Sequence, residues 1–234
     1  MYPNADEKVY IDEAEKLMVE TMARYDPSHD AYHGEYKAHD RDDAVPSKPD
    51  LLTVELAAHI AALLHDILDK KYASPEQAAN PYTFFLPFFT SVAEKSGIDL
   101  VKDGRARQIA EIVDNVSWTT EKKLRAKGEW GKWHDECVEL HCVQDADRLD
   151  AIGAFGVLRC AAFSASKNYP LHVPNDDPAL EVSAMQHFED KLVHIKDRLK
   201  TKPGKTLGER KHQVLLDFMK SVQEEYDLSN LQTM

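Results

Sequence analysis

The sequence predicts an all-α protein, a bundle of about seven to nine helices. Apolar residues recur at helical spacing, as in Val9, Ile11, Ala14, Leu17, Met18 and Met22. No stretch alternates apolar and polar residues as a half-buried strand would. Helix-end signals such as Asp26-Pro27-Ser28, Ser74-Pro75-Glu76 and Lys202-Pro203-Gly204 punctuate the apolar runs.

Taken in order, an amphipathic helix is expected over about residues 7–25, stopped by Asp26-Pro27. Residues 28–35 form a polar, histidine-bearing stretch, and 40–50, with Pro46 and Pro49, reads as a loop. The run from Leu51 to Tyr72 contains neither Pro nor Gly and predicts one long buried helix, with Asp50 as N-cap. Ser74 caps the next helix, with Pro75 at its first position. Residues 81–95 are aromatic-rich, and Pro81 and Pro87 are expected to break or kink them. A helix over 103–118 presents Ile109, Ile112, Val113 and Val116 on one side. Residues 119–135, polar and basic with Gly128 and Gly131, read as a mobile loop. One helix is expected over 136–163, with Gly153 and Gly156 where another helix packs closely. Two more are expected over 177–200 and 205–227. The whole chain, 1–234, reads as a single domain with a core over about 7–200 and a C-terminal helix over about 205–228.

The 234 residues are 43% hydrophobic and 30% charged, a balance suited to a globular domain. The formal net charge of −12 argues against a nucleic-acid partner, because phosphate backbones require basic stripes. A small phosphorylated substrate in a local positive pocket stays compatible. Cys137, Cys142 and Cys160 lack disulfide-framework or zinc-site spacing. No secretory leader or apolar run of membrane-spanning length is evident, so a cytoplasmic protein without a membrane partner is expected. A homo-oligomer is left open.

The chemistry concentrates where polar groups interrupt apolar runs. His65 and Asp66 sit side by side in the central apolar run, where each needs a partner, and a divalent metal satisfies both at once. The competing reading is a core histidine hydrogen-bonded to its neighbours. A continuous helix would bring Asp69 to the same patch. Asp147, in Gln144-Asp145-Ala146-Asp147-Arg148-Leu149-Asp150, would add a third ligand, and His33 a fourth. Two imidazoles and two carboxylates suit one ion such as Mn²⁺, Mg²⁺, Fe²⁺, Ni²⁺ or Zn²⁺. Lys70 and Lys71 follow the motif and face either phosphates or solvent.

The order His33 … His65-Asp66 … Asp147 resembles the signature of the HD superfamily of metal-dependent phosphohydrolases. The longer matches are Asp26-Pro27-Ser28-His29-Asp30-Ala31-Tyr32-His33, Ala62-Leu63-Leu64-His65-Asp66-Ile67, the segment Gln144–Ala154, and Met185-Gln186-His187-Phe188-Glu189-Asp190-Lys191-Leu192. They are similar to the small stand-alone HD hydrolases, some of which split nucleoside triphosphates to monophosphate and pyrophosphate. The resemblance implies His33, His65, Asp66 and Asp147 as ligands of one divalent metal, Mn or Mg foremost, with Fe, Co, Ni or Zn as alternatives. It implies Asp69 as general base or water-orienting group, and Arg148 either on a phosphate or bracing the acidic cluster. His187 and Lys191, four apart on one helical face, become candidate substrate contacts beside Lys70 and Lys71. Asp145 and Asp150 are expected to support rather than ligate. His29 is an alternative first ligand, and His134 and His141 do not match a two-metal spacing. The run after the first histidine, Gly34-Glu35-Tyr36-Lys37, lacks the arginine usual there. The implied activity is hydrolysis of a small phosphate ester or anhydride, most simply a nucleotide. A nucleoside monophosphate phosphatase, a cyclic-nucleotide phosphodiesterase and a non-catalytic metal- or nucleotide-binding regulator are the alternatives.

Overall fold

Tyr10, Ile11, Ala14, Met18 and Met22 share one face of the first helix, α1 (Ala5–Met22), and all are buried. A computed structural model defines residues 2–23, 25, 52–69 and 73–231 of the protein. The segment with the expected 40–50 loop and the Asp50 cap lies outside them. The Asn4 side chain accepts from the Glu7 N–H at 2.9 Å, while the Glu7 carboxylate accepts from the Asn4 N–H at 2.7 Å. This reciprocal cap satisfies two otherwise orphaned donors. Among the described residues the protein has eleven α-helices, three short 3₁₀ turns and no strand.

The central helix, α2 (Leu52–Leu64), is apolar from Leu56 onward except at His59, and Leu56 to Ala58 and Ile60 to Leu64 are buried. That is the pattern of a helix enclosed on every side. It packs against α1, α5 (Arg105–Asn115) and α8 (Val138–Asp150). The expected helix over 51–72 is corrected here, because α2 ends at Leu64 and His65 to Leu68 form turns. Ile67 and Leu68 are still buried, so the apolar pattern runs on past the helix. Hydrogen bonding decides against continuation. The His65 ring takes the Ala62 carbonyl, the Ile67 and Asp69 N–H groups bond three residues back to Leu64 and Asp66, and the Tyr25 hydroxyl takes the Ile67 carbonyl.

After α3 (Pro75–Ala78), capped by Ser74 as expected, comes α4 (Pro81–Ala93). Pro87 sits within α4 without ending it, so of the expected break or kink the break does not occur there. It is exposed, as is Thr83, whose carbonyl it cannot bond, while Phe85, Phe89 and Val92 bury the opposite stripe. The expected mobile loop over 119–135 is instead two helices, α6 (Trp118–Lys127) and α7 (Lys132–Glu136). Ser117 caps α6, Gly128 at φ +71° closes it, and Arg125 and Lys127 complement its C-terminal dipole. The apolar pattern misses α6 because its buried member is an acid, Glu121.

The expected helix over 136–163 is two, α8 and α9 (Gly153–Ser166), meeting at 70°. Gly153 stands at φ +77°, and a Cβ at Gly156 would lie 2.4 Å from the Ala151 carbonyl oxygen. The expected helix over 177–200 is likewise broken into α10 (Ala184–Asp190) between short 3₁₀ turns. Phe188, Leu192, Ile195 and Leu199 keep helical spacing and are all buried, which disguises the break. The final helix, α11 (Lys202–Leu231), takes Pro203 and Gly204 into its first turn. These splits raise the helix number above the seven to nine expected.

Two hydrophobic clusters result. The larger joins α1, α2, α4, α5 and α8, and the smaller joins Ile152, Phe188, Leu192, Ile195 and Leu215. Members of both border one large pocket. Among the described residues no single helix is long and apolar enough to cross a membrane.

Candidate metal centre and substrate pocket

His65 stands at the first position past α2, with its side chain only 5% exposed. Its Nδ1 lies 2.7 Å from the Ala62 carbonyl oxygen, which can only accept. In the neutral ring the hydrogen is therefore on Nδ1, and Nε2 presents its lone pair. That nitrogen is 3.2 Å from Oδ2 of Asp66 and 3.8 Å from Oδ1 of Asp147, which α8 delivers from across the core. Asp147 is the one residue between Cys142 and Asp150 that is not buried. A lone pair facing two carboxylates is repulsive unless a cation lies among them or the ring takes a second proton. One imidazole nitrogen and two carboxylates suit a divalent cation, with Nδ1 anchored on a carbonyl as metal-binding histidines usually are. Among the described residues no group of three or more His, Cys, Asp or Glu is closed to ion-holding spacing. His33 and its alternative His29 lie outside the described residues, as do Lys70 and Lys71.

The three groups line a pocket of about 690 Å³, together with Asp69, Arg148, His187 and Lys191. Residues spread from the end of α2 to α10 thus share one cavity. Burial holds the His187 ring below its ordinary pKa, and Lys191 adds to this, so the ring is biased to the neutral form.

Arg148 is 4% exposed and committed. One guanidinium nitrogen donates to Glu121 at 2.7 Å and another to the Arg198 carbonyl at 2.7 Å. These bonds brace Glu121 and the Arg198 carbonyl. Glu121 also faces Lys200 at 3.2 Å and accepts from Arg125 at 2.9 Å. Burial pushes the Glu121 carboxyl up, but Arg148, Lys200 and Arg125 outweigh it and hold the pKa below its ordinary value. Asp145 points away from the pocket into the N-terminus of α11. It accepts from the Lys200 and Thr201 N–H groups and from the Thr201 hydroxyl, at 2.7 to 3.0 Å. A Cβ on Gly204 would come within 2.4 Å of that carboxylate. Asp150 pairs with Arg159 at 2.8 Å. His134 and His141 are engaged with Asn115 and with each other's segment, the His141 Nε2 lying 2.8 Å from the His134 carbonyl oxygen.

No family model matches the chain. Over 178 residues it is 29% identical to the uncharacterized protein YpgQ of Bacillus subtilis (strain 168), spanning 76% of this chain and 74% of that one. The crystal structure of Bacillus subtilis YpgQ in complex with ADP superposes with a TM-score of 0.65 at 22% identity, covering 94% of this chain and 96% of that one. An HD-superfamily hydrolase from Bacillus thuringiensis superposes at 0.62 with 20% identity, covering 94% and 98%. The chain shares the all-α fold of these solved structures. A Listeria innocua protein, Lin1889, shares it at a TM-score of 0.65 and 24% identity, covering 94% and 97%.

Trp118, Arg159, Phe163 and Arg198 are among the pocket residues that escaped the sequence reading. The capping pair Ser117 and Thr120 was the available signal for a helix beginning at Trp118. Arg159 and Phe163 carry no local signal, since they reach the pocket only because the chain bends before Gly153.

Proposed function

We propose that the protein is a metal-dependent phosphohydrolase acting on a nucleotide, with cleavage of a nucleoside triphosphate to monophosphate and pyrophosphate as the leading reaction. The convergence of His65 Nε2 with the Asp66 and Asp147 carboxylates on the wall of a nucleotide-sized pocket carries the reading. The ADP complex of the YpgQ neighbour supports a nucleotide in this fold. In this reading His65, Asp66 and Asp147 hold the metal, with His33 as the fourth ligand. The bound ion would lower the pKa of a water and polarise a phosphoryl oxygen. Asp69, on the same wall, orients that water and takes its proton. Attack on the α phosphorus then breaks its bond to the bridging oxygen and releases pyrophosphate. Cationic side chains along the pocket, Lys191 and Arg198 among them, oppose the charge gathering on the phosphate oxygens.

The test is release of phosphate and pyrophosphate from a nucleotide panel with Mn²⁺, Mg²⁺, Co²⁺, Ni²⁺ or chelator, for wild type and His65→Ala. Pyrophosphate from triphosphates, lost with chelator and in the variant, is the expected result. Orthophosphate from monophosphates would keep the site and replace the substrate. No turnover with any metal would sink the hydrolase reading.

A further inference from the structure

We propose that Arg198, laid on the Trp118 indole, is the contact for the substrate's phosphate chain beyond the phosphorus attacked, and so sets a preference for triphosphates over monophosphates. This rests on the phosphohydrolase reading of the pocket. The pocket-lining cations are Arg148, Arg159, Lys191 and Arg198. Arg148 is committed to Glu121 and the Arg198 carbonyl, and Arg159 lies against Asp150. The guanidinium of Arg198 makes no hydrogen bond or ion pair to any described residue, while its carbonyl accepts from Arg148 and its N–H donates to the Ile195 carbonyl. Its carbon sits 4.3 Å from the centre of the Trp118 ring. Such a stack occupies a face of the guanidinium and leaves the N–H edges open for phosphate oxygens.

The arginine is also held in place before any ligand arrives. Trp118 positions its side chain, and Arg148 anchors its backbone at 2.7 Å. Glu121, on the same helix as Trp118, holds Arg148 in turn. Fixing a long side chain in advance removes much of the entropy cost of engaging it. The surrounding charge has the right sign, since Arg148, Lys200 and Arg125 share the single Glu121 carboxylate. The same pocket is acidic around Asp66, Asp69 and Asp147. A ligand with a reacting phosphoryl group at the acidic end and further phosphates beyond it matches both regions.

The experiment compares wild type with Arg198→Ala, Arg198→Lys, Trp118→Ala and Trp118→Phe. Binding of inorganic triphosphate and of orthophosphate is measured by calorimetry, alongside KM and kcat for nucleoside mono- and triphosphates. Mn²⁺ affinity and the thermal midpoint are followed in parallel. Arg198→Ala is expected to weaken triphosphate binding and raise the triphosphate KM roughly tenfold or more, with much smaller effects on orthophosphate and on Mn²⁺ affinity. Arg198→Lys and Trp118→Ala should lose part of the binding, and Trp118→Phe little. Should Arg198→Ala not fold, those variants carry the test alone. Triphosphate binding within twofold of wild type, or equal weakening for orthophosphate, overturns the proposal. So does wild-type protein that binds no triphosphate. Triphosphate binding lost with Arg198 in a protein that turns over no nucleotide supports the contact while sinking the hydrolase reading.

Discussion

The Nδ1 of His65 bonds the carbonyl oxygen of Ala62 at 2.7 Å, the acceptor that a continuing helix would give to the Asp66 N–H. The contact that helps end α2 also turns Nε2 toward Asp66 and Asp147. His65→Ala and Asp147→Asn should each abolish tight Mn²⁺ binding, read by calorimetry, while circular dichroism still reports the helical fold. Unchanged Mn²⁺ affinity in both would remove them as ligands.

Asp69→Asn separates metal binding from chemistry. The expected outcome is a loss of kcat of about a hundredfold or more with Mn²⁺ affinity retained. A variant that turns over normally would leave Asp69 a mere wall of the pocket.

Glu121 is 3% exposed and faces Arg125, Arg148 and Lys200. Glu121→Ala leaves the buried Arg148 and largely buried Lys200 without their counter-charge, and should cost about 3 kcal/mol in urea unfolding. A change under about 1 kcal/mol would mean that solvent screens the cluster.

Asp145→Ala removes the side-chain acceptor at the start of α11 and should cost about 2 kcal/mol. Gly204→Ala should also destabilise, because its Cβ would press on the same carboxylate. The two changes share that contact, so the double variant should lose less than the sum of the singles. Strict additivity would show that the clash is relieved elsewhere.

Burial holds His141, His187 and His212 below the ordinary histidine pKa of 6.5. Just below that pH the unfolded chain binds more protons than the folded one, so stability declines as pH falls through the region. It levels off below the folded-state values. The urea midpoint should be lower at about pH 5.5 than at about pH 7.5, and His141→Gln should flatten the slope. A midpoint that rises on acidification contradicts this.

The all-α class and most helix positions were legible because apolar spacing and caps such as Ser74 act locally. Helix ends were less so. Ile67, Leu68, Leu192 and Ile195 are buried at helical spacing whether or not the backbone is helical, and side-chain bonds such as those of His65 to the Ala62 carbonyl and of Tyr25 to the Ile67 carbonyl decide. Asp66, Asp69, Asp147, His187 and Lys191 could be named because they stand in short, recognisable runs. Trp118 and Arg198 could not, since each matters through the other across the fold. Segment 119–135 misled for a related reason. A helix whose buried residue is Glu121 has no apolar stripe to read.

The corner between α8 and α9 has a consequence for how the pocket is built. At about 1.5 Å per residue, a straight helix from Asp147 would carry Arg159 roughly 18 Å down a rod and Phe163 farther still. The 70° bend brings them back to line the same cavity as Asp147. A single short length of chain thus furnishes an acidic floor and a basic, aromatic side wall. Gly153, behind the cavity, and Gly156, on its wall, set the distance between them.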